Sequence, residues 1–102
     1  MSEQSLVVYF HYDSLDLEPI LALEDDVSDA IEQSGAGEYD GHELGLFEAS
    51  DAFLFMYGPS ADKLYESVRP VLEGSALLKG GEATLRYGGP DDDSAPERRI
   101  KL

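Results

Sequence analysis

The segment from Glu38 to Glu43 has the side chains in this chain most suited to binding an ion. Alternate residues of an extended chain lie on the same side, so Glu38, Asp40 and His42 would present two carboxylates and an imidazole together. Such oxygen and nitrogen ligands suit a divalent cation. The sequence has no second cluster of ligands, however, and the spacing matches no metal-binding motif. We therefore interpret the segment as a solvated start of a strand, keep metal binding as the alternative, and assign no metal ligand.

His11 is the candidate for a general base in an enzyme. Tyr9, Tyr57 and Arg86 are its possible partners if a folded sheet brings them to one face. The sequence contains no nucleophile elbow, glycine-rich phosphate loop or paired-carboxylate motif. We assign no catalytic residue and no cofactor, and this interpretation leans against an enzyme without excluding one.

Hydrophobic periodicity places these residues in a single α+β domain spanning residues 1–102. Apolar runs predict strands at residues 6–12, 37–48, 52–57 and 83–87. Helical spacing predicts helices over 19–34 and 61–74, the second kinked or ending near Arg69 because Pro70 removes a helical hydrogen bond. Residues 97–102 are a candidate for a short fifth strand, and we expect residues 1–5 and 89–96 to be loose.

The order of these elements predicts a βαββαβ ferredoxin-like sandwich. Right-handed crossovers give a four-stranded antiparallel sheet with both helices on one face. The apolar set Leu6, Val8 and Phe10 should face the helices, together with the smaller aliphatic side chains of the third strand. The residues left on the open face are Tyr9, His11, Phe53, Phe55, Tyr57 and Arg86.

An open sheet face with four aromatic rings predicts an interface. Contiguous exposed apolar patches commonly mark a protein contact or a ligand groove, and two such faces packed together would suit a homodimer. Two alternatives stay open. The third strand could present its other side to the helices, or the C-terminal segment could fold over this face.

The charge of the chain is distributed very unevenly. Residues 1–62 contain fifteen Asp and Glu and no Lys or Arg, so they carry the whole net charge of −15, while the last forty residues are neutral. Such a field repels phosphate backbones and anionic membranes, so we expect neither nucleic acid nor membrane as a partner. The acidic surface is interpreted as a solubilising one, with docking of a basic protein as the alternative. With no cysteine, no long apolar run and no signal sequence, we expect a cytoplasmic protein.

Several short blocks resemble a family of short uncharacterised bacterial proteins with a βαββαβ pattern. They are residues 37–43 (GEYDGHE), 56–59 (MYGP), Asp62, 68–72 (VRPVL) and 84–88 (TLRYG). The similarity covers about Val7 to Tyr87 and implies a cytoplasmic bacterial protein of this length. It implies no catalytic residue, because the family has no known activity.

The sequence as a whole predicts a noncatalytic homodimeric binding or protein-interaction module, strongly acidic, whose ligand it does not identify. Two alternatives remain. One is an inhibitor-like protein that docks a basic partner through its acidic surface. The other is a small-molecule-binding protein or enzyme that uses the open face, with His11 and Arg86 in one concave pocket.

Overall fold

A computed structural model describes residues 3–14, 16–45, 50–89 and 92–102 of the chain. In this part, two α-helices pack on one face of a five-stranded antiparallel sheet with strand order β2-β3-β1-β4-β5. The elements are β1 (Gln4–His11), α1 (Glu18–Ser34), β2 (Glu38–Leu44), β3 (Asp51–Gly58), α2 (Ala61–Gly74), a short 3-10 helix (Ala76–Leu78), β4 (Glu82–Arg86) and β5 (Glu97–Lys101). The predicted succession of elements is confirmed. The sheet has five strands instead of four because the candidate fifth strand forms.

Helix α1 is amphipathic and has clear signals at both ends. Pro19 lies in its first turn, where the missing N–H removes no helical hydrogen bond. Its buried side chains recur every three or four residues; they are Ile20, Leu23, Val27 and Ile31. Gly35 ends the helix in the left-handed region with φ 68°, and its N–H donates to the Ile31 carbonyl. Neither α1 nor α2 is long and apolar enough to cross a membrane.

Helix α2 continues through its proline. The Ser60 side chain accepts a hydrogen bond from the Lys63 N–H and caps the first turn. Pro70 lies inside the helix on its exposed side, and the helix extends to Gly74. The predicted extent of 61–74 is therefore confirmed, and of the two predicted effects of Pro70 the early end near Arg69 is wrong. Leu72, one turn from Val68 and 2% exposed, packs into the core and holds the last turn in place.

The sheet presents its aliphatic side chains to the helices. In β1 these are Leu6, Val8 and Phe10; in β3 they are Ala52, Leu54 and Met56; in β4 they are Ala83 and Leu85, and all are at most 1% exposed. The prediction of which side chains of β1 and β3, the two central strands, face the helices is thus confirmed. The alternative, in which the aromatic rings of β3 lie beneath the helices, is excluded.

The edges of the fold differ from the sequence prediction. β1 begins at Gln4, so Gln4 and Ser5, expected to be loose, pair with β3. β5 pairs with β4 along the edge of the sheet, and it does not fold over the open face. The described part of residues 89–96 contains turns but neither helix nor strand. β2 begins at Glu38 and ends at Leu44; of the predicted range 37–48, residues 46–48 lie outside the described residues.

Replacing Gly58 by Ala tests the close approach between the backbone just before β2 and the end of β3. A methyl group there would overlap the Ala36 carbonyl oxygen, so we expect Gly58→Ala to lower the free energy of unfolding by about 1–3 kcal/mol. The control is Gly74→Ala, whose added methyl meets nothing within 4 Å and should leave stability unchanged or raise it by up to about 1 kcal/mol. Urea denaturation measures both. Equal midpoints for the two variants would contradict the close approach.

Candidate functional site

The sheet surface opposite to the helices is the candidate site, and we call it the outer face. Cross-strand register arranges its residues in three rungs, each running from β2 through β3, β1 and β4 to β5. The first rung is Glu43, Phe53, Tyr9, Glu82 and Lys101; the second is Gly41, Phe55, Val7, Thr84 and Arg99; the third is Glu38, Tyr57, Ser5, Arg86 and Glu97. All six residues predicted for the open face lie on it. His11 and Asp51 form a further pair at the end of β1 and β3.

The centre of the outer face is a cluster of aromatic rings, which we call the aromatic cluster: Tyr9, Phe53, Phe55 and Tyr57. The ring centroids of Tyr9 and Phe53 are 5.2 Å apart, and the two ring planes are tilted by 48°. Phe53 also stacks on Phe55, with 6.1 Å between the ring centroids. Tyr9 is 37% exposed, and the three rings of β3 are half-buried. Such contacts between rings stabilise cross-strand pairs. The centre is therefore apolar and ordered by its own packing.

The two sides of the outer face carry different charges. On the side of β2 and β3 the carboxylates are Glu38, Asp40, Glu43 and Asp51, with no Lys or Arg among them. On the side of β4 and β5, Arg86 pairs with Glu97 at 3.1 Å and Arg99 lies 3.8 Å from Glu82. With Lys101, this side has three cations, Arg86 and Arg99 being the other two, and two carboxylates. One side is acidic, and the other has a net charge of +1.

Carboxylates reach the rim of the aromatic cluster. The Tyr9 hydroxyl donates a 2.9 Å hydrogen bond to Asp51 Oδ1, and Asp51 is 7% exposed. Partial burial, followed by the charges of Asp40 and Glu3, raises the pKa of Tyr57. Tyr57 therefore keeps its hydroxyl proton at neutral pH and offers a donor at the edge of an apolar surface. Sequence reasoning missed Asp51, because nothing local shows that an aspartate beginning a strand will be buried.

The structure separates His11 from two of its three possible partners in an enzyme site, Tyr57 and Arg86, and leaves only Tyr9 beside it on β1. The side chain of His11 is 66% exposed and lies 3.7 Å from Asp13. Arg86 lies opposite Ser5, six residues before His11 on the same strand, which places the two about 20 Å apart. Tyr57 also lies opposite Ser5. The alternative that required one pocket containing both His11 and Arg86 is therefore wrong on this point, because Arg86, on β4, lies beside Ser5 at the other end of β1 from His11.

A β-bulge divides the acidic segment between the two faces of the sheet. Tyr39 pairs with Met56 and Gly41 with Phe55, so Asp40 is an extra residue in β2. Beyond the bulge His42 pairs with Leu54 and lies on the helix side, where its Nδ1 contacts the Glu24 carboxylate of α1. Glu38 and Glu43 lie on the outer face. The expectation that Glu38, Asp40 and His42 share one side is thus wrong. Within the described ranges, no group of three His, Cys, Asp or Glu could hold a metal ion.

Glu24, Tyr39 and His42 form a second polar cluster, between α1 and β2. The Glu24 and His42 side chains are 17% and 26% exposed. The Tyr39 hydroxyl is buried and makes no hydrogen bond of normal geometry within the described residues. Burial, followed by the charge of the nearby Glu24 and then by a hydrogen-bonding contact with that carboxylate that falls short of normal geometry, raises the pKa of Tyr39. Sequence reasoning missed Glu24, because no local pattern links it to a histidine eighteen residues later.

Replacing Tyr39 by Phe tests this buried hydroxyl. At neutral pH the variant should be as stable as the wild type or more stable, because an unsatisfied buried hydroxyl is removed. The raised pKa in the folded state means that wild-type stability falls as pH rises above about 10, where the unfolded chain loses this proton first. The free energy of unfolding of Tyr39→Phe should therefore fall less than that of the wild type between neutral and alkaline pH. Urea denaturation at both pH values measures this.

A matched control for that experiment is Tyr65→Phe, on α2. Its free energy of unfolding should fall between neutral and alkaline pH by as much as that of the wild type. A loss of stability beyond about 1 kcal/mol at neutral pH for Tyr39→Phe would show that its hydroxyl is hydrogen-bonded, contrary to the structure.

The contact between Glu24 and His42 should stabilise the fold. Both side chains are largely shielded from water, so a double-mutant cycle with Glu24→Ala and His42→Ala should give a coupling free energy of about 1–2 kcal/mol at neutral pH. The exposed pair Arg69 and Glu73 on α2 is the control, with about 0.5 kcal/mol or less expected. Equal couplings for the two pairs would contradict the shielding.

Comparison of the chain with protein-family models, with curated proteins and with solved structures gave no match. The function of the outer face therefore has to be argued from its geometry and charge.

Proposed function

We propose that this chain is a noncatalytic interaction module that forms a homodimer through its outer face. The observation that carries this proposal is the aromatic cluster on the sheet face opposite to the helices. The strand order of the first four strands supports a ferredoxin-like fold extended by one edge strand. The sequence blocks described above support membership of the bacterial family that they resemble, and a cytoplasmic location.

The size of the outer face is adequate for a dimer contact. Five strands at their usual spacing span about 24 Å, and the six steps from Ser5 to His11 span about 20 Å. The projected area is about 480 Å² per chain, and side-chain relief makes the accessible area larger. Two such faces together approach or exceed the roughly 1,000 Å² that a specific interface needs. The half-buried rings of β3 would then lie at the centre of that contact, where binding energy concentrates.

The net charge of the chain disfavours a phosphate-bearing partner. A nucleic acid or an anionic membrane would be repelled by a chain with net charge −15. Two copies also repel each other at long range, but at an ionic strength of about 0.1 M salt screens charges that are more than about 10 Å apart. We therefore expect the homodimer to tighten as salt rises from low ionic strength. Docking of a basic protein would weaken under the same change.

Light scattering tests the dimer directly. At tens of micromolar chain, we expect a mass twice the 11.2 kDa of one chain. Phe55→Lys should shift the mass to that of a monomer, because it introduces a charge at the centre of the apolar contact. Circular dichroism verifies that the variant is folded.

The matched control is Leu21→Lys. Leu21 is 47% exposed on α1, on the other side of the molecule, so this variant should remain a dimer. A monomeric wild type at tens of micromolar, or a dimer that Phe55→Lys leaves intact, would overturn the proposal.

A further inference from the structure

We infer that the two chains pack with their two-fold axis parallel to the strands, so that the acidic side of each outer face lies on the β4 and β5 side of the other. This inference rests on the proposed homodimer. It names which surfaces of the partner meet, and the two sides of the outer face argue for it.

When the strands of the two sheets are nearly aligned, as in the aligned class of sheet packing, two orientations of the axis bring two outer faces together. In both, the axis lies between the sheets, because an axis perpendicular to them would not turn one face toward the other. An axis parallel to β1 places β2 over the partner's β5 and β3 over the partner's β4, since β1 is the central strand. An axis across the strands places β2 over the partner's β2. The strands of two aligned sheets cross at about 30°. In either orientation of the axis, this rotation does not change which edge strands of the two chains lie over each other.

The first orientation brings opposite charges together. Glu43 and Lys101 end the same rung, so the axis along β1 places Glu43 opposite the partner's Lys101. Both are exposed, and within the described residues Lys101 forms no ion pair. On the third rung Tyr57 meets the partner's Arg86, a ring with a guanidinium. Glu38 meets the partner's Glu97, an unfavourable pair, but Glu97 already has Arg86 at 3.1 Å.

The second orientation brings like charges together. It would place Glu43 opposite the partner's Glu38, and Asp40 near the partner's Asp40. Residues 1–62 contain no Lys or Arg, so no cation of β2 or β3 could compensate these carboxylates. Juxtaposed like charges strongly disfavour a contact. The uneven charge of the chain therefore selects the axis parallel to the strands.

The surface relief agrees with this orientation. A hollow of about 430 Å³ lies beside Tyr9 and is lined by Tyr9, Gly80, Gly81, Glu82, Lys101 and Leu102. With the axis along β1, the partner's β3 lies over β4, and the partner's Phe53 is on the same rung as Glu82. The ring is thus placed over this hollow.

A charge swap across the interface tests the orientation. The variants are Glu43→Lys and Lys101→Glu, measured alone and as an equimolar mixture by light scattering at physiological ionic strength. Each variant alone has like charges at both symmetry-related contacts, so its homodimer should weaken about tenfold or more. In the mixed dimer one contact joins the two substituted side chains and the other joins the native Glu43 and Lys101. Both contacts then pair opposite charges, so mixing should restore wild-type affinity. Circular dichroism verifies that both variants are folded.

The outcomes separate this inference from the proposed homodimer. If Glu43→Lys alone tightens the homodimer, the axis lies across the strands and this inference is wrong. It is also wrong if mixing restores nothing while the wild type is a dimer that Phe55→Lys disrupts. A monomeric wild type overturns the homodimer itself, and this orientation with it.

Discussion

The pairing of β1 with β3 at the centre of the sheet is the interaction on which the other features depend. Its register runs without interruption from Gln4 opposite Gly58 to His11 opposite Asp51. A slip of one residue would carry Phe53, Phe55 and Tyr57 beneath the helices and Leu54 to the outer face. The aliphatic side chains of β1 and β3 fill the space under α1 and α2 at almost no exposure. The rings on the opposite side are therefore fixed in place by the core.

The uneven charge along the chain becomes an uneven charge across the sheet. The acidic first part of the chain forms α1 and the strands β1, β2 and β3, and the neutral last part forms α2, β4 and β5. The strand order places β2 and β5 at opposite edges. In the proposed homodimer this distribution would favour one orientation of the two copies before any detailed packing is considered, because electrostatic complementarity fixes register more than it adds affinity.

The bulge at Asp40 shows how one backbone irregularity reassigns chemistry. Strict alternation would place Glu38 and His42 on one side. The extra residue turns His42 toward α1, where it contacts Glu24, and leaves Glu38 and Asp40 beside the outer face. A potential ion site thereby becomes a contact between a helix and a strand. Bulges of this kind commonly redirect a side chain.

The sequence by itself determined the succession of elements and the faces of β1 and β3, because these follow from local conformational preference and alternation. Only the tertiary structure decided the bulge in β2, the continuation of α2 past Pro70, the burial of Asp51 and the pairing of Glu24 with His42. Each of these depends on contacts between residues far apart in the chain. It also decided that Arg86, on β4, lies beside the end of β1 opposite to His11, since membership of one face does not fix the distance along the strands.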